Sequence, residues 1–458
     1  MTRAKLTFQD KASYAVGDLA ANFTWQLTKL LLPYFYTDIF GISAYEAGLV
    51  YMIGRFWDAI TDPIMGFIAD HTKSRWGRFR PWILWGAVPL AVSAVLAFSS
   101  PDLDEQGRFI YALVTFLLLS TMYTVVTLPY STLSAVMTDD MNERSSLAGY
   151  RMVFAIMGSF VVSVITEPLV RQFPDEQTGY QAVVIIYSVI ATLLFWLSFA
   201  RSRERVDVGQ KKSYGLRDSL QIILKNQPLI MLSSAVFFTG MASTMKFGTG
   251  MYFCKYFLGD QALFSTFMAC VLGGAAAGIF LSTWLSQRIG KKNMFLIGVT
   301  IQSVTDLAIW VLCSNVDVTG MLAPVFALVA VSGIGGGACV QLMWAMAPDT
   351  VEYAEWKTGM RGDGITYSAF SFIQKTDTGI GIYLMGLVLT WVGYVQPVNG
   401  VMQEQSARAL DGMLFMTTLA PVIAGVIGFT FICFYRLDQT LFDRILADLK
   451  QRRISANP

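Results

Sequence analysis

Long apolar runs separated by short polar turns set the pattern of this chain. A helix needs about 20 apolar residues to cross the hydrocarbon core of a bilayer. Runs near or above that length occupy 12–39, 46–69, 81–99, 109–137, 147–170, 179–200, 228–257, 262–286, 294–313, 320–347, 364–392 and 411–435. The pattern predicts an all-α membrane protein with twelve transmembrane helices. The first run is the most interrupted, by Asp18, Asn22, Gln26 and Lys29.

The second run, EAGLVYMIGRFWDAITDPIMGFIA, carries Arg55, Asp58 and Asp62 near its middle. A charge at the centre of a membrane helix costs roughly 2.5–3.5 kcal/mol on insertion scales and is by default a functional residue. Spacings of three and four put all three on one helical face. Two carboxylates a turn apart repel unless one takes a proton or a cation sits between them. Ion-coupled transport has that requirement.

Composition agrees: 54% hydrophobic, 14% charged and a mean hydropathy of +0.50 over 458 residues rule out a water-soluble domain. The 34 Lys and Arg residues concentrate in alternate turns, such as KSRWGRFR (73–80) and RIGKK (288–292), whereas the opposite turns hold Arg108, Arg171 and Arg408. The positive-inside rule then puts both termini in the cytoplasm of a multi-pass protein of the cell (inner) membrane. The net charge of +2 reflects topology and not nucleic-acid binding. The polar start MTRAKLTFQDK offers no cleavable signal peptide. Five cysteines lie in apolar runs with no CxxC pair, and His71 is the single histidine. Disulfides, a zinc site and a bound cofactor are therefore not expected.

The longest charged interruption, RSRERVDVGQKKSYGLRDSLQ (201–221), divides the runs into six and six. The expected domains are an N-terminal bundle at 1–200, a cytoplasmic linker at 201–227, a C-terminal bundle at 228–435 and a cytoplasmic tail at 436–458. The halves echo each other: HTKSRWGRFR matches QRIGKKN, and MTDDMNERSSLAGYR (137–151) matches APDTVEYAEWKTGMR (347–361). Two parallel six-helix repeats are the mark of the major facilitator architecture, whose substrate sits near the midplane. The basic turns admit two readings. One is orientation signal alone. The other is a gating latch in which Asp70, Asp139, Asp349, Glu352 and Glu355 pair with Arg75, Arg78, Arg80, Arg144 and Arg361. Such surface pairs are worth about 0–1 kcal/mol each, weak enough to break in every cycle. The glycine-rich GGAAAG (273–278) and GIGGG (333–337) lie inside apolar runs and read as close helix crossings, not phosphate loops.

Polar groups inside the runs are the candidates for binding. Asp18, Asn22, Gln26 and Lys29 align as one stripe over three turns of the first run. The stripe either pairs with neighbouring helices for packing or lines a water-filled cavity for a hydroxyl-rich solute. YTVVTLPYST (123–132) adds Tyr123, Thr124, Thr127 and Tyr130 around Pro129. These threonines either bond back to their own helix or reach across. In the second case Thr124 completes an oxygen cage for Na+ with Asp58 and Asp62. GITYSAFSFIQKTDTGIGIY (364–383) holds Gln374, Lys375 and Asp377. Lys375 is a counter-ion to Asp58 and Asp62, a substrate donor, or a partner of Asp377 or Asp306. Trp25 and Trp344 are candidates to stack on a sugar ring, against a background of aromatic packing. Arg151, at the start of the fifth run, is a further candidate substrate contact.

The segments YTDIFGISAYEAG, RFWDAITDPIMGFIAD, SRWGRFRPWIL, RIGKKNMFLIG and DTVEYAEWKTGMRGDGITYSAFSFIQK resemble the glycoside–pentoside–hexuronide:cation symporter family nearly end to end. The resemblance implies a major facilitator-like fold coupling uptake of a sugar or glycoside to Na+, Li+ or H+. It also implies a cation site at Asp58 and Asp62 with Thr61 and Thr124 nearby, and a gating lysine at Lys375. Members that carry α-galactosides place two acids where this chain has Asn22 and Thr127. The match around RIGKKN and DTVEYAEWKTG resembles the glucuronide, xyloside and sulfosugar branches instead. Lys29 and Lys246 would then answer an anionic substrate. A lysolipid carrier and a non-transporting sensor are the alternatives kept open. An enzyme is not expected, because His71 has no catalytic partners in its basic turn. The expected partners are a small sugar or glycoside, a monovalent cation and the lipid bilayer, with the chain acting as a monomer.

Overall fold

The computed structural model describes residues 6–138, 140–205, 216–315, 320–398 and 401–456. Among these the secondary structure is helical apart from an isolated bridge between Val398 and Val401. The long helical segments are α1 (residues 8–39), α2 (Ala44–His71), α3 (Arg80–Ala97), α4 (Glu105–Met137), α5 (residues 141–170) and α6 (Glu176–Arg201). They continue with α7 (Gln227–Phe257), α8 (Leu263–Ile289), α9 (Lys291–Asn315), α10 (Leu322–Thr358), α11 (Asp363–Trp391) and α12 (Ala407–Cys433). Shorter helices, Leu216–Leu224 and Gln439–Ala456, lie in the expected linker and tail.

Nine helices among the described residues are long and apolar enough to cross a membrane: all of these segments except α1, α2 and α11. Those three carry Asp18 and Lys29, then Arg55, Asp58 and Asp62, then Lys375 and Asp377. Length alone suffices for α2 and α11, with 28 and 29 residues at about 1.5 Å per residue. The expected twelve crossings therefore remain a reading of pattern for these three.

The chain forms two compact units. One comprises Met1–Lys211 with Gly386–Ser406, the other Lys212–Met385 with Ala407–Pro458. The cut near residue 211 falls inside the expected linker, of which residues 206–215 lie outside the described set. The expected C-terminal bundle at 228–435 is not one continuous stretch, because the segment 386–406 groups with the first unit. Tyr394 donates to Asp38 Oδ2 at 2.7 Å there, and Gln396 donates to the Ile42 carbonyl.

In the first unit α1 packs on α5 and α6, α2 on α4, and α3 on α4 and α6. The second unit repeats the scheme, with α8 on α10, α9 on α10, and α7 and α9 on α12. The repeat extends to backbone detail. α1 and α7 both end in π turns, Phe35–Ile39 and Phe253–Phe257. Phe40 N–H reaches Phe35 O and Ile42 N–H reaches Tyr36 O, as Leu258 reaches Phe253 and Asp260 reaches Cys254. Both exits turn on a glycine at positive φ, Gly41 at 79° and Gly259 at 80°, which a side chain would disfavour. The glycine-rich stretches are close crossings, as expected. A Cβ at Gly274 or Gly278 would overlap the Ala330 or Ile334 carbonyl, and one at Gly337 the Ala275 carbonyl, so α8 and α10 touch backbone to backbone.

Candidate cation and substrate site

The first unit assembles its site along the seam of α2 and α4. Ser43 caps α2: its hydroxyl accepts from Glu46 N–H at 3.2 Å, and the Glu46 carboxylate accepts from Ser43 N–H at 2.9 Å. One turn before the acids, Gly54 lets the helices close, since a Cβ there would overlap the Phe116 ring. Four residues on, Asp58 accepts from the Ser120 hydroxyl, and four further on, Asp62 Oδ1 accepts from Thr124 Oγ1 at 2.9 Å. Gly54–Phe116, Asp58–Ser120 and Asp62–Thr124 thus step along the two helices in one register. Thr124 reaches across to Asp62, whereas Thr127 and Thr132 bond back to the Tyr123 and Leu128 carbonyls at 2.7 and 2.9 Å. Both readings of the span 123–132 are therefore realised, by different residues.

Asp58 is 2% exposed, and its second oxygen holds Arg55 Nη1 at 2.8 Å. The Arg55 guanidinium also lies 5.0 Å from the Trp25 ring, which stacks on Tyr123 at 5.6 Å. Between the acids, Thr61 Oγ1 is buried with no hydrogen-bond partner among the described residues. Pro63 follows Asp62 inside α2 and has no N–H to offer the Ala59 carbonyl. The seam therefore gathers two carboxylates with the Ser120 and Thr124 hydroxyls, and the Thr61 hydroxyl lies next to Asp62 in the chain. These are the hard oxygen ligands that a small monovalent cation takes.

The stripe on α1 is tied mainly to α5. Asp18 accepts from Arg151 Nε at 2.6 Å and Nη2 at 3.1 Å, and from Tyr130 at 2.7 Å. Ser159 donates to Asn22 Oδ1 at 3.1 Å, while Gln26 donates to Ser159 at 2.8 Å. Lys29 sits half-buried in the π turn Leu27–Leu31. Arg151, a candidate substrate contact, is thus the partner of Asp18 in this structure.

In the second unit Trp344 is 40% exposed and meets Phe370 edge to face at 5.7 Å. Gln374 donates to the Met343 sulfur at 3.6 Å, and Lys375 is half-buried. Asp377 accepts from Thr378 at 3.0 Å. Two expectations are corrected here. Lys246 does not stand open to an anionic substrate: it is 4% exposed, bonded to Asp306 at 2.5 Å and to Ser332 at 2.9 Å. Asp306 also accepts from Ser332 at 2.7 Å, which closes a buried ring of α7, α9 and α10. Lys375 accordingly does not find Asp306 waiting for it.

Part of the expected latch takes other partners. Arg361 does pair with Glu355 at 2.8 Å, but Asp349 pairs with Lys291 at 2.6 Å. Arg80 spends its guanidinium on the Phe199 carbonyl at 2.8 and 3.2 Å, and Arg75 lies over the Trp76 ring at 4.2 Å. The backbone N–H groups of Arg78 and Phe79 are collected by Glu204 at 3.0 and 2.8 Å. Arg144 Nε donates to the Thr138 carbonyl at 2.8 Å. Asp70 is exposed, and Asp139 lies outside the described residues. Asp349 and Arg80 are tied instead to residues more distant in sequence, Lys291 and Phe199. Sequence reading missed Ser120, Glu204 and Lys291. Ser120 lies one turn before Thr124 on the same face.

A profile for the family described as MFS/sugar transport protein matches residues 13–439. The isoprimeverose transporter of Lactiplantibacillus pentosus is 32% identical over 98% of this chain and 93% of its own length. The putative glycoside/cation symporter YagG of Escherichia coli (strain K12) is 32% identical over 98% and 96%, and the glucuronide carrier protein homolog of that organism 30% over 98% and 97%. Among solved structures, an inward-facing bacterial homolog of the human lysosomal transporter Spinster has a TM-score of 0.69 at 14% identity, covering 96% of this chain and 97% of that one. The nucleoside transporter NupG has a TM-score of 0.60 at 16% identity, over 94% and 100%. At such identities the structures speak for the fold alone. With its helical repeat and its acid-lined seam, this multi-pass membrane protein belongs to the MFS/sugar transport protein family and, within it, to the glycoside–pentoside–hexuronide:cation symporters.

Proposed function

We propose that the protein is a secondary carrier of the inner membrane that takes up a pentoside or related glycoside together with one monovalent cation, acting as a monomer with both termini cytoplasmic. The observation that carries this reading is the α2–α4 seam. Asp58 and Asp62 face Ser120 and Thr124 there, and Thr61 keeps a buried hydroxyl without a partner among the described residues. A Na+ ion fits such a donor set better than a proton does, because a proton would use one carboxylate and leave the Thr61 hydroxyl unexplained.

Coupling runs through Arg55. The incoming cation competes with the guanidinium for Asp58. Arg55 in turn lies against Trp25, and Trp25 and Tyr123 present the stacked aromatic surface on which a sugar ring rests. Ion and glycoside thereby raise each other's affinity by the same factor, as linkage requires. Within the first unit, Asn22, Lys29 and Thr127 supply further substrate contacts. Arg151 and Lys246 are both held by acids, which favours a neutral glycoside over an anionic one. The pairs Lys291–Asp349 and Arg361–Glu355 secure the basic turns in the gating cycle.

The test is counterflow and gradient-driven uptake of labelled xylosides, glucuronides and sulfosugars in vesicles, with and without Na+ at two pH values. Asp58→Cys should abolish accumulation while sparing exchange. Undiminished accumulation in that variant refutes the coupling site, and stimulation by acid pH without Na+ identifies the proton as the coupling ion.

A further inference from the structure

A cavity of about 630 Å³ lies in the second unit under the turn that joins α8 to α9. That volume is within the range of small-ligand sites. Its walls are the turn 286–293, Asp349 on α10, and residues 435–442 leading into the helix Gln439–Ala456. The tail is held in place by Leu437, Ile445 and Leu449, which are buried in the same apolar core as Leu342 and Met346 of α10.

Three features of the cavity point to an anion. Gly290 precedes α9, and Met294 N–H is the one that reaches back to the Gly290 carbonyl at 3.1 Å. The preceding N–H groups of this 25-residue helix have no carbonyl a turn earlier to bond. Lys291 is satisfied by Asp349, but among the described residues Arg288 has only the Trp284 ring at 4.2 Å, and Lys292 only the Cys433 carbonyl at 3.0 Å. Tyr435, 1% exposed and part of the wall, has a hydroxyl without a hydrogen-bond partner among the described residues. Three cations line the cavity against two carboxylates. Asp349 is neutralised by Lys291, and Asp438 caps the tail helix through Leu441 N–H at 2.8 Å.

We propose that this cavity binds a phosphate group. Its oxygens would take the open N–H groups of α9, the guanidinium of Arg288, the ammonium of Lys292 and the Tyr435 hydroxyl, a set of fixed donors that suits a multiply charged oxyanion. The phosphate belongs either to an anionic phospholipid headgroup or to a soluble phosphate.

Purified full-length protein in nanodiscs separates the two sources. Its thermal midpoint is compared in phosphatidylcholine alone, in phosphatidylcholine with phosphatidylglycerol, and in phosphatidylcholine with millimolar inorganic phosphate. The expected result is a rise of about 2 °C or more with one of the two ligands. Phosphatidylglycerol alone acting assigns a lipid headgroup, and inorganic phosphate acting assigns a soluble ligand. Arg288→Gln should remove the gain. Tyr435→Phe keeps the ring and deletes an unpaired hydroxyl, so its unliganded midpoint should hold or rise while its ligand-dependent gain shrinks. No shift with either ligand, or equal shifts in the variants, overturns the proposal. The readout needs no flux, so either outcome leaves the transport reading untouched.

Discussion

Arg55 gives Asp58 a counter-charge tethered to the same helix, three residues away. A cation at the proposed site would have to displace or share that guanidinium, so its affinity there would be lower than for an open pair of carboxylates. Arg55→Gln should therefore raise the apparent Na+ affinity about tenfold, equivalent to 1.4 kcal/mol. The Na+ dependence of substrate counterflow measures this. An unchanged affinity would mean that the guanidinium does not compete. Asp58, Asp62 and Thr124 could be picked out in the sequence because charges stand out in apolar runs and helical spacing places them on one face. Ser120 could not be picked out so readily, since a serine in a membrane helix usually bonds its own backbone. Arg55 was visible, but only the structure shows its guanidinium divided between Asp58 and Trp25.

At the scale of elements, the ring of Lys246, Asp306 and Ser332 ties α7, α9 and α10. Removing one partner strands a charge in a dry interior. Asp306→Ala should cost about 3–5 kcal/mol. The paired replacement Lys246→Met with Asp306→Leu should recover most of it, because an apolar pair of similar volume is often neutral or better. Chemical denaturation in detergent compares the three proteins, and a double variant no better than the single one would sink the idea. These partners lie 60 residues apart in the chain. No local rule brings them together, and hydropathy registers only that each is out of place. The π turns closing α1 and α7 were likewise invisible, because they shift backbone hydrogen bonds without altering the apolar pattern.

At the scale of the molecule, the division into six and six runs was legible from one charged interruption. The recurring pairings of α2 with α4 and α8 with α10 follow that repeat. What the pattern missed was the attachment of residues 386–406 to the first unit. That attachment combines a close crossing, where a Cβ at Gly386 would overlap the Ala44 carbonyl, with contacts such as Tyr394 to Asp38, and hydropathy periodicity registers neither. The distribution of Lys and Arg makes a separate prediction. Reporter fusions at residues 6 and 456 should both report the cytoplasm, and a fusion near Arg108 the opposite side. Opposite locations for the two termini would require an odd number of crossings.

The tethered guanidinium also bears on how the membrane potential does work. By formal charge, Asp58, Asp62 and Arg55 together carry one net negative charge, which one monovalent cation at the proposed site would balance. On that proposal the loaded site reorients without moving net charge. The voltage, worth about 2.3 kcal/mol per charge per 100 mV, acts on the return of the empty carrier instead. With the cell interior negative, it drives that return outward, so the potential resets the protein for the next substrate and does not itself pull the ion in.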